Sequence, residues 1–225
     1  MSDRLIAIGD IHGCLTALDS VLEAIRPEAN DSLIILGDCV DRGPDSKGVI
    51  DRLIQYSQLC NLIAIRGNHE EMMLNVVQEG QPPYRWLQYG GVDTLDSYGF
   101  TGDLSVIPES HLSFFNSMVD YYEAPNHLFI HANYDPKLPM NQQTIQMLRW
   151  VKLTESTPTA HISGKRAIVG HTHDYHGEIF DVGHLVCIDT FCYGGGWLTA
   201  FDVQSGKIWQ ADMDGNLRPD ISPRT

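Results

Sequence analysis

The sequence predicts an α/β protein: a four-layer α/β/β/α sandwich with mixed sheets, formed by one domain over residues 1–225. Three observations lead there. The apolar runs Leu5-Ile6-Ala7-Ile8, Leu33-Ile34-Ile35-Leu36 and Leu62-Ile63-Ala64-Ile65 read as buried strands and recur about every 30 residues, the length of one strand–helix–strand unit. An apolar stripe at helical spacing follows each run. The C-terminal part then alternates short strands with turns. Two sheets with helices outside accommodate that order.

Taken in turn, Leu15, Leu18, Val21, Leu22 and Ile25 fall on one helical face, and Pro27 closes the helix. Val49, Ile50, Leu53 and Ile54 repeat the pattern, as do Met72, Met73, Val76 and Val77 before Gly80 and Pro82-Pro83. Residues 84 to 119 read as a helical, loop-rich insert that caps one side of the strand ends, with Tyr84, Trp86 and Tyr89 expected to pack. Strands are expected again at Leu128-Phe129-Ile130 and Ala167-Ile168-Val169. Short strands then follow at 177–180, 185–188, 197–201 and 207–210, with Gly194-Gly195-Gly196 as a turn or bulge.

Composition narrows the functional classes. The 225 residues, 43% of them hydrophobic, suffice for a core without staples. A net charge of −14 opposes nucleic acid and anionic membrane surfaces as bulk partners, although bound cations can reverse the field locally. Cys14, Cys39, Cys60, Cys187 and Cys192 are odd in number and lack a Cys-x-x-Cys pair, which points to reduced cysteines and a cytoplasmic location. The N-terminus has no signal-peptide pattern, and no apolar stretch approaches the ~18 residues of a membrane span.

Chemistry concentrates just after the strands. Gly9-Asp10-Ile11-His12-Gly13, Gly37-Asp38-Cys39-Val40-Asp41-Arg42-Gly43 and Gly67-Asn68-His69-Glu70 each follow one of the first three runs; His131 and His171 follow two later ones. Hard carboxylate oxygens and imidazoles at one sheet edge suit a two-metal hydrolytic site. Asp10 and His12, two apart, can share one ion, and Asp38 can bridge two. Asn68, His131 and His171 complete the set. Cations sharing a carboxylate lie about 3.5–4 Å apart and acidify a water between them. Arg42 offers a planar fork for phosphoryl oxygens. His69 is placed to protonate a leaving group, with Asp41 holding its ring protonated. The flanking glycines permit sharp turns and close approach.

These segments resemble the phosphoprotein phosphatase branch of the calcineurin-like metallophosphoesterases, over nearly the whole chain, from Gly9 to about Val203. Arg66-Gly67-Asn68-His69-Glu70-Glu71-Met72-Met73 and Ile188-Asp189-Thr190 are similar to its small bacterial and phage members. The resemblance implies one metal site of Asp10, His12 and Asp38. It implies a second of Asp38, Asn68, His131 and His171, with His69 and Asp41 as the acid pair. It also implies Arg42 as a phosphate-binding arginine, assisted by Asn68, and two divalent metal ions, manganese or iron with zinc or manganese. A second phosphate-binding arginine falls at Lys152, with Arg149 just before Trp150, so either Arg149 or Lys152 completes the clamp. Asn133 and His173 also depart from the pattern.

The implied activity is hydrolysis of phosphoserine and phosphothreonine, with phosphotyrosine as a further candidate, in a phosphorylated protein or peptide. The alternative is a diadenosine-tetraphosphate hydrolase, which Gly90-Gly91-Val92-Asp93-Thr94-Leu95 resembles. That branch typically lacks an acid at position 41 and carries Asp at position 70. A non-catalytic metal-binding scaffold is the third class.

Overall fold

The computed structural model describes residues 4–219. Strands β1 (Leu5–Ile8), β2 (Ser32–Ile35) and β3 (Asn61–Ala64) run parallel, pairing Leu5 with Ser32 and Ser32 with Asn61. On the other side of β1, β10 (Trp197–Asp202) pairs antiparallel, followed by β11 (Ile208–Ala211), in the order β11-β10-β1-β2-β3. The short β9 (Asp189–Thr190) pairs with β10. A second sheet contains β4 (Tyr121–Glu123), β5 (His127–Ile130), β6 (Arg166–Val169), β7 (Phe180–Asp181) and β8 (Leu185–Cys187), in the order β4-β5-β6-β8-β7. Both sheets mix parallel and antiparallel pairs.

Period-two alternation sorts the strand residues into layers. Ile6, Ile8, Leu33 and Ile35 face outward onto helices α1 (Leu15–Ile25) and α2 (Ser46–Tyr56), in one core with α3 (Asn68–Val77). Ala7 and Ile34 face the other way and meet Phe129, Ile168 and Val186 of the second sheet. Leu128, Ile130, Ala167 and Val169 then face a third cluster with Tyr134, Met140, Leu148 and Leu153. The fourth layer is thinner than the sequence suggests. It consists of the five-residue helix α7 (Ile145–Arg149), a 3-10 turn at Met140–Gln142 and loops, because Pro136, Pro139 and Pro158 interrupt any longer helix.

The insert at 84–119 contains α4 (Tyr84–Trp86), a wide turn through Gly90, α5 (Val92–Ser97), a 3-10 turn and α6 (Glu109–Ser117), where α4 through α6 are numbered in chain order. Trp86 is buried, as expected, and so is Phe115, but Tyr84 and Tyr89 are exposed (80% and 46%). His111, whose place the sequence left open, is buried and ties α6 to α5 and α2 through Tyr98 Oη at 2.7 Å and Asp51 Oδ1 at 2.9 Å. The expected strand at 177–180 shrinks to β7, because Asp174 Oδ1 accepts the N–H groups of His176 and Glu178 and closes a turn there. Among the described residues no helix is long and apolar enough to cross a membrane.

Candidate active site

The parallel strands β1, β2 and β3 deliver their C-terminal loops to one edge, and β5 and β6 bring His131 and His171 to the same place. Asp10, His12, Asp38, Asp41, Asn68, His69 and His131 are all buried. Five of the expected residues adopt left-handed backbone without being glycine: His12 (φ 45°), Asp38 (49°), Asp41 (72°), Arg42 (71°) and His171 (63°). Such conformations cost about 1–3 kcal/mol each and persist where the surroundings over-determine them, typically at functional sites. They also correct the strand-based reasoning for Asp10 and His12. β1 ends at Ile8, so the turn, and not the pleat, aims these side chains.

The imidazoles are arranged as ligands. His12 Nδ1 donates to Val40 O (2.9 Å), His131 Nδ1 to Leu36 O (2.8 Å), and His171 Nε2 to Trp150 O (3.1 Å). Each ring therefore keeps its other nitrogen unprotonated, the usual support of a metal-binding histidine. Burial first lowers the pKa of all three, His171 to about 3, which keeps them neutral. Asp38 faces two groups: Oδ2 lies 3.6 Å from His12 Nε2, and Oδ1 3.4 Å from His131 Nε2. The ligand atoms of His12, Asp38 and His69 cluster, as do those of Asp38, His131 and His171, with Asp38 common to both. Asn68 Oδ1 faces His131 Nε2 at 3.1 Å, two acceptors turned toward one point. Asp10 instead accepts the His171 N–H with both oxygens, at 3.1 and 3.0 Å.

Electrostatics agree with this donor set. Burial, then the charges of Asp189 and Asp38, pushes Asp10 far up. Burial likewise raises Asp189 to about 7. Buried carboxylates crowded in this way are relieved by cations, so these residues fit divalent metal ions.

His69 is built differently. Its Nδ1 meets Asp41 Oδ2 at 2.7 Å, leaving Nε2 directed toward Asp38 Oδ2 at 3.9 Å. Burial pulls its pKa down, but the Asp38 charge and the Asp41 hydrogen bond outweigh it, and the net shift is upward. A raised pKa favours a proton donor over a metal ligand at Nε2. Asp41 is itself fully engaged: it accepts from Trp86 Nε1 (2.9 Å) and Thr94 Oγ1 (2.7 Å), while its N–H reaches Ser46 Oγ and Thr94 Oγ1. The insert thus helps to build the site.

A scan against family models matches residues 3–175 to the calcineurin-like phosphoesterase domain. The chain belongs to the calcineurin-like phosphoesterase family. Among curated relatives, serine/threonine-protein phosphatase 1 of Salmonella typhimurium is 40% identical over 85 residues, 37% of this chain and 37% of that protein. The match therefore spans well under two thirds of that relative. A symmetrical bis(5'-nucleosyl)-tetraphosphatase of Pseudomonas putida is 25% identical over 283 aligned positions, covering 97% of both chains. A solved structure described provisionally as a diadenosine tetraphosphatase superposes with a TM-score of 0.71 at 24% identity, covering 94% of each chain. At that identity the likeness shows the fold alone.

In this chain, Arg42 reaches the cluster around Asp38, with Nη1 3.3 Å from His12 Nε2. Arg149 does not serve as the sequence suggested. Its guanidinium is buried against Glu71 (2.5 Å) and Asp120, so both ends of its fork are filled by carboxylates. Lys152 is exposed, and its charge bears on His171, His173 and Asp189.

Sequence reasoning missed several contributors. Glu70 was noted only as a branch marker, yet its carboxylate accepts the N–H groups of Asp38 (2.9 Å), Cys39 (2.7 Å) and Gly67 (2.9 Å), clamping the second motif to the third. Trp86, Thr94, Ser46, Asp189 and Tyr193 are also part of the site. Asp189 and Thr94 carried a local signal, lying inside the quoted Ile188-Asp189-Thr190 and Gly90-Gly91-Val92-Asp93-Thr94-Leu95.

Proposed function

We propose that this chain is a metal-dependent phosphomonoesterase that removes phosphate from phosphoserine and phosphothreonine in proteins. The observation that carries the reading is the buried Asp41–His69 pair. A serine or threonine alkoxide is a poor leaving group and needs a proton as the P–O bond breaks. A nucleotide leaving from a phosphoanhydride needs that proton far less. The site pairs the His69 imidazole with Asp41, which together with the Asp38 charge pushes its pKa up against burial, turns its outer nitrogen toward the ligand cluster, and fixes the partner carboxylate with Trp86 and Thr94.

Two divalent cations would be held by Asp10, His12 and Asp38 and by Asp38, Asn68, His131 and His171; when bound, they acidify water and offset phosphate charge. The chain's own residues do the rest. Arg42 and Lys152 bind phosphoryl oxygens, with Asn68 at the start of α3 beside them. His69 gives its proton to the departing oxygen, and Asp41 fixes the ring for that transfer. The five free, buried cysteines support a reducing, cytoplasmic setting.

The second reading, a symmetrical dinucleoside tetraphosphatase, is favoured by the 97% coverage of the Pseudomonas putida relative. Position 41 separates the two, since that chemistry does not call for an acid pair. His69→Asn is expected to retain metal but to slow phosphoserine-peptide hydrolysis about 10²–10⁴-fold, with a much smaller effect on p-nitrophenyl phosphate. Equal losses on both substrates would remove the acid role and the reading built on it.

A further inference from the structure

Arg42 is held in an unusual way. Its backbone is left-handed (φ 71°), and its N–H lies against Gly90 O at 3.4 Å. A Cβ on Gly90 would sit 2.6 Å from Arg42 N, so only glycine lets the insert approach this closely. The side chain is fixed by a residue 151 positions away in the chain. Arg42 Nη1 donates to the Tyr193 hydroxyl at 2.5 Å, and the guanidinium carbon lies 4.7 Å from the Tyr193 ring centre. The contrast with Arg149 is informative. Two carboxylates neutralise Arg149, whereas a neutral phenol and a π face hold Arg42 and leave its charge available to an anion.

Tyr193 is itself braced. Its ring meets His12 edge-on at 4.8 Å and Phe191 at 4.9 Å, and Phe191 stacks on His173 at 4.6 Å. Phe191 adopts φ 64°, a costly conformation for a bulky residue. A Cβ on Gly194 would fall 2.1 Å from the Phe191 ring, so this loop depends on glycine to seat the aromatic row. Strain and packing together present one phenolic oxygen to one guanidinium.

We propose that Tyr193 is a positioning residue that orients Arg42 for phosphate. The inference rests on the reading of Arg42 as a phosphate-binding arginine. Tyr193 acts through Arg42 and touches no reacting atom, so its removal should weaken phosphate binding and leave the chemical step nearly intact.

The test is a double-mutant cycle on the metal-loaded protein, with a phosphoserine peptide as substrate and inorganic phosphate as competitive inhibitor. Tyr193→Phe keeps the ring and the packing. It is expected to raise KM and the inhibition constant for phosphate together by about 3–10-fold, the net worth of one ordinary hydrogen bond, with kcat within about twofold. In an Arg42→Ala background the same change should have no further effect. If Tyr193→Phe matches the wild type, or keeps its full effect without Arg42, the positioning role is overturned. If Arg42→Ala alone changes neither KM, kcat nor phosphate inhibition, the phosphate-clamp reading fails instead, and the two failures are told apart.

Discussion

Two carboxylates, Asp38 and Asp41, push the His69 pKa up against its burial, and that balance can be tested at the level of one residue. In Asp41→Asn the hydrogen bond survives in weakened form, but the charge is gone, so the His69 pKa should fall. An acid catalyst works only while protonated. The alkaline limb of the kcat profile for a phosphopeptide should therefore move to lower pH in Asp41→Asn, with metal content unchanged. An unmoved limb would detach Asp41 from His69. At this scale the sequence was most legible: Asp10, His12, Asp38, Asn68, His131 and His171 converge because hard oxygens and imidazoles have few roles at strand ends. What the sequence could not show was the left-handed backbone at His12, Asp38 and His171, since nothing in a one-dimensional motif marks a strained non-glycine residue. Nor could it show that Glu71 and Asp120 claim Arg149, because those partners lie 78 and 29 positions away.

At the scale of elements, the third motif shows how tightly loop and helix are fitted. A Cβ on Gly67 would fall 2.1 Å from Asp38 Oδ1 and 2.6 Å from Asp38 N. Gly67→Ala must push the second motif away from α3. It should destabilise the fold by about 1–3 kcal/mol, as overpacking does, and weaken metal binding at the shared Asp38. Thermal melts and titration calorimetry with manganese check both, and a variant with wild-type stability and affinity would show that the contact relaxes freely. The three parallel strands β1 to β3 and the first three helices were readable from periodicity alone. The insert was readable as helical, but its purpose was not, because Trp86 and Thr94 reach Asp41 across 45 and 53 positions. Of the expected strand at 177–180, residues 177–179 lie outside β7 because the side-chain turn of Asp174 competes with the ladder.

Across the whole molecule, the site is only as rigid as the sandwich beneath it. Arg4 fastens the start of β1 to the turn before β2, donating to Asp31 and to the carbonyls of Ile25 and Arg26. Burial alone would raise the Asp31 pKa, but the Arg4 hydrogen bonds and the Glu28 N–H outweigh it, and the net shift is downward. A carboxyl with a depressed folded pKa stabilises above its unfolded value, about 3.9, and loses that stability as pH falls through the folded value. Wild type should exceed Asp31→Asn by about 1 kcal/mol at pH 7, allowing for the partly exposed Arg4, with the gap closing as pH falls below the ordinary carboxylate range. A gap independent of pH, followed by chemical denaturation, would assign the effect to packing.

The central claim is that the buried Asp41–His69 pair makes this fold a phosphomonoesterase for alkyl phosphates. Its most direct test is a side-by-side assay of the manganese-loaded protein on a phosphoserine peptide and on diadenosine tetraphosphate. Faster turnover of the phosphopeptide is the expected result. Faster release of ADP from the dinucleotide would contradict the claim and assign the site to nucleotides.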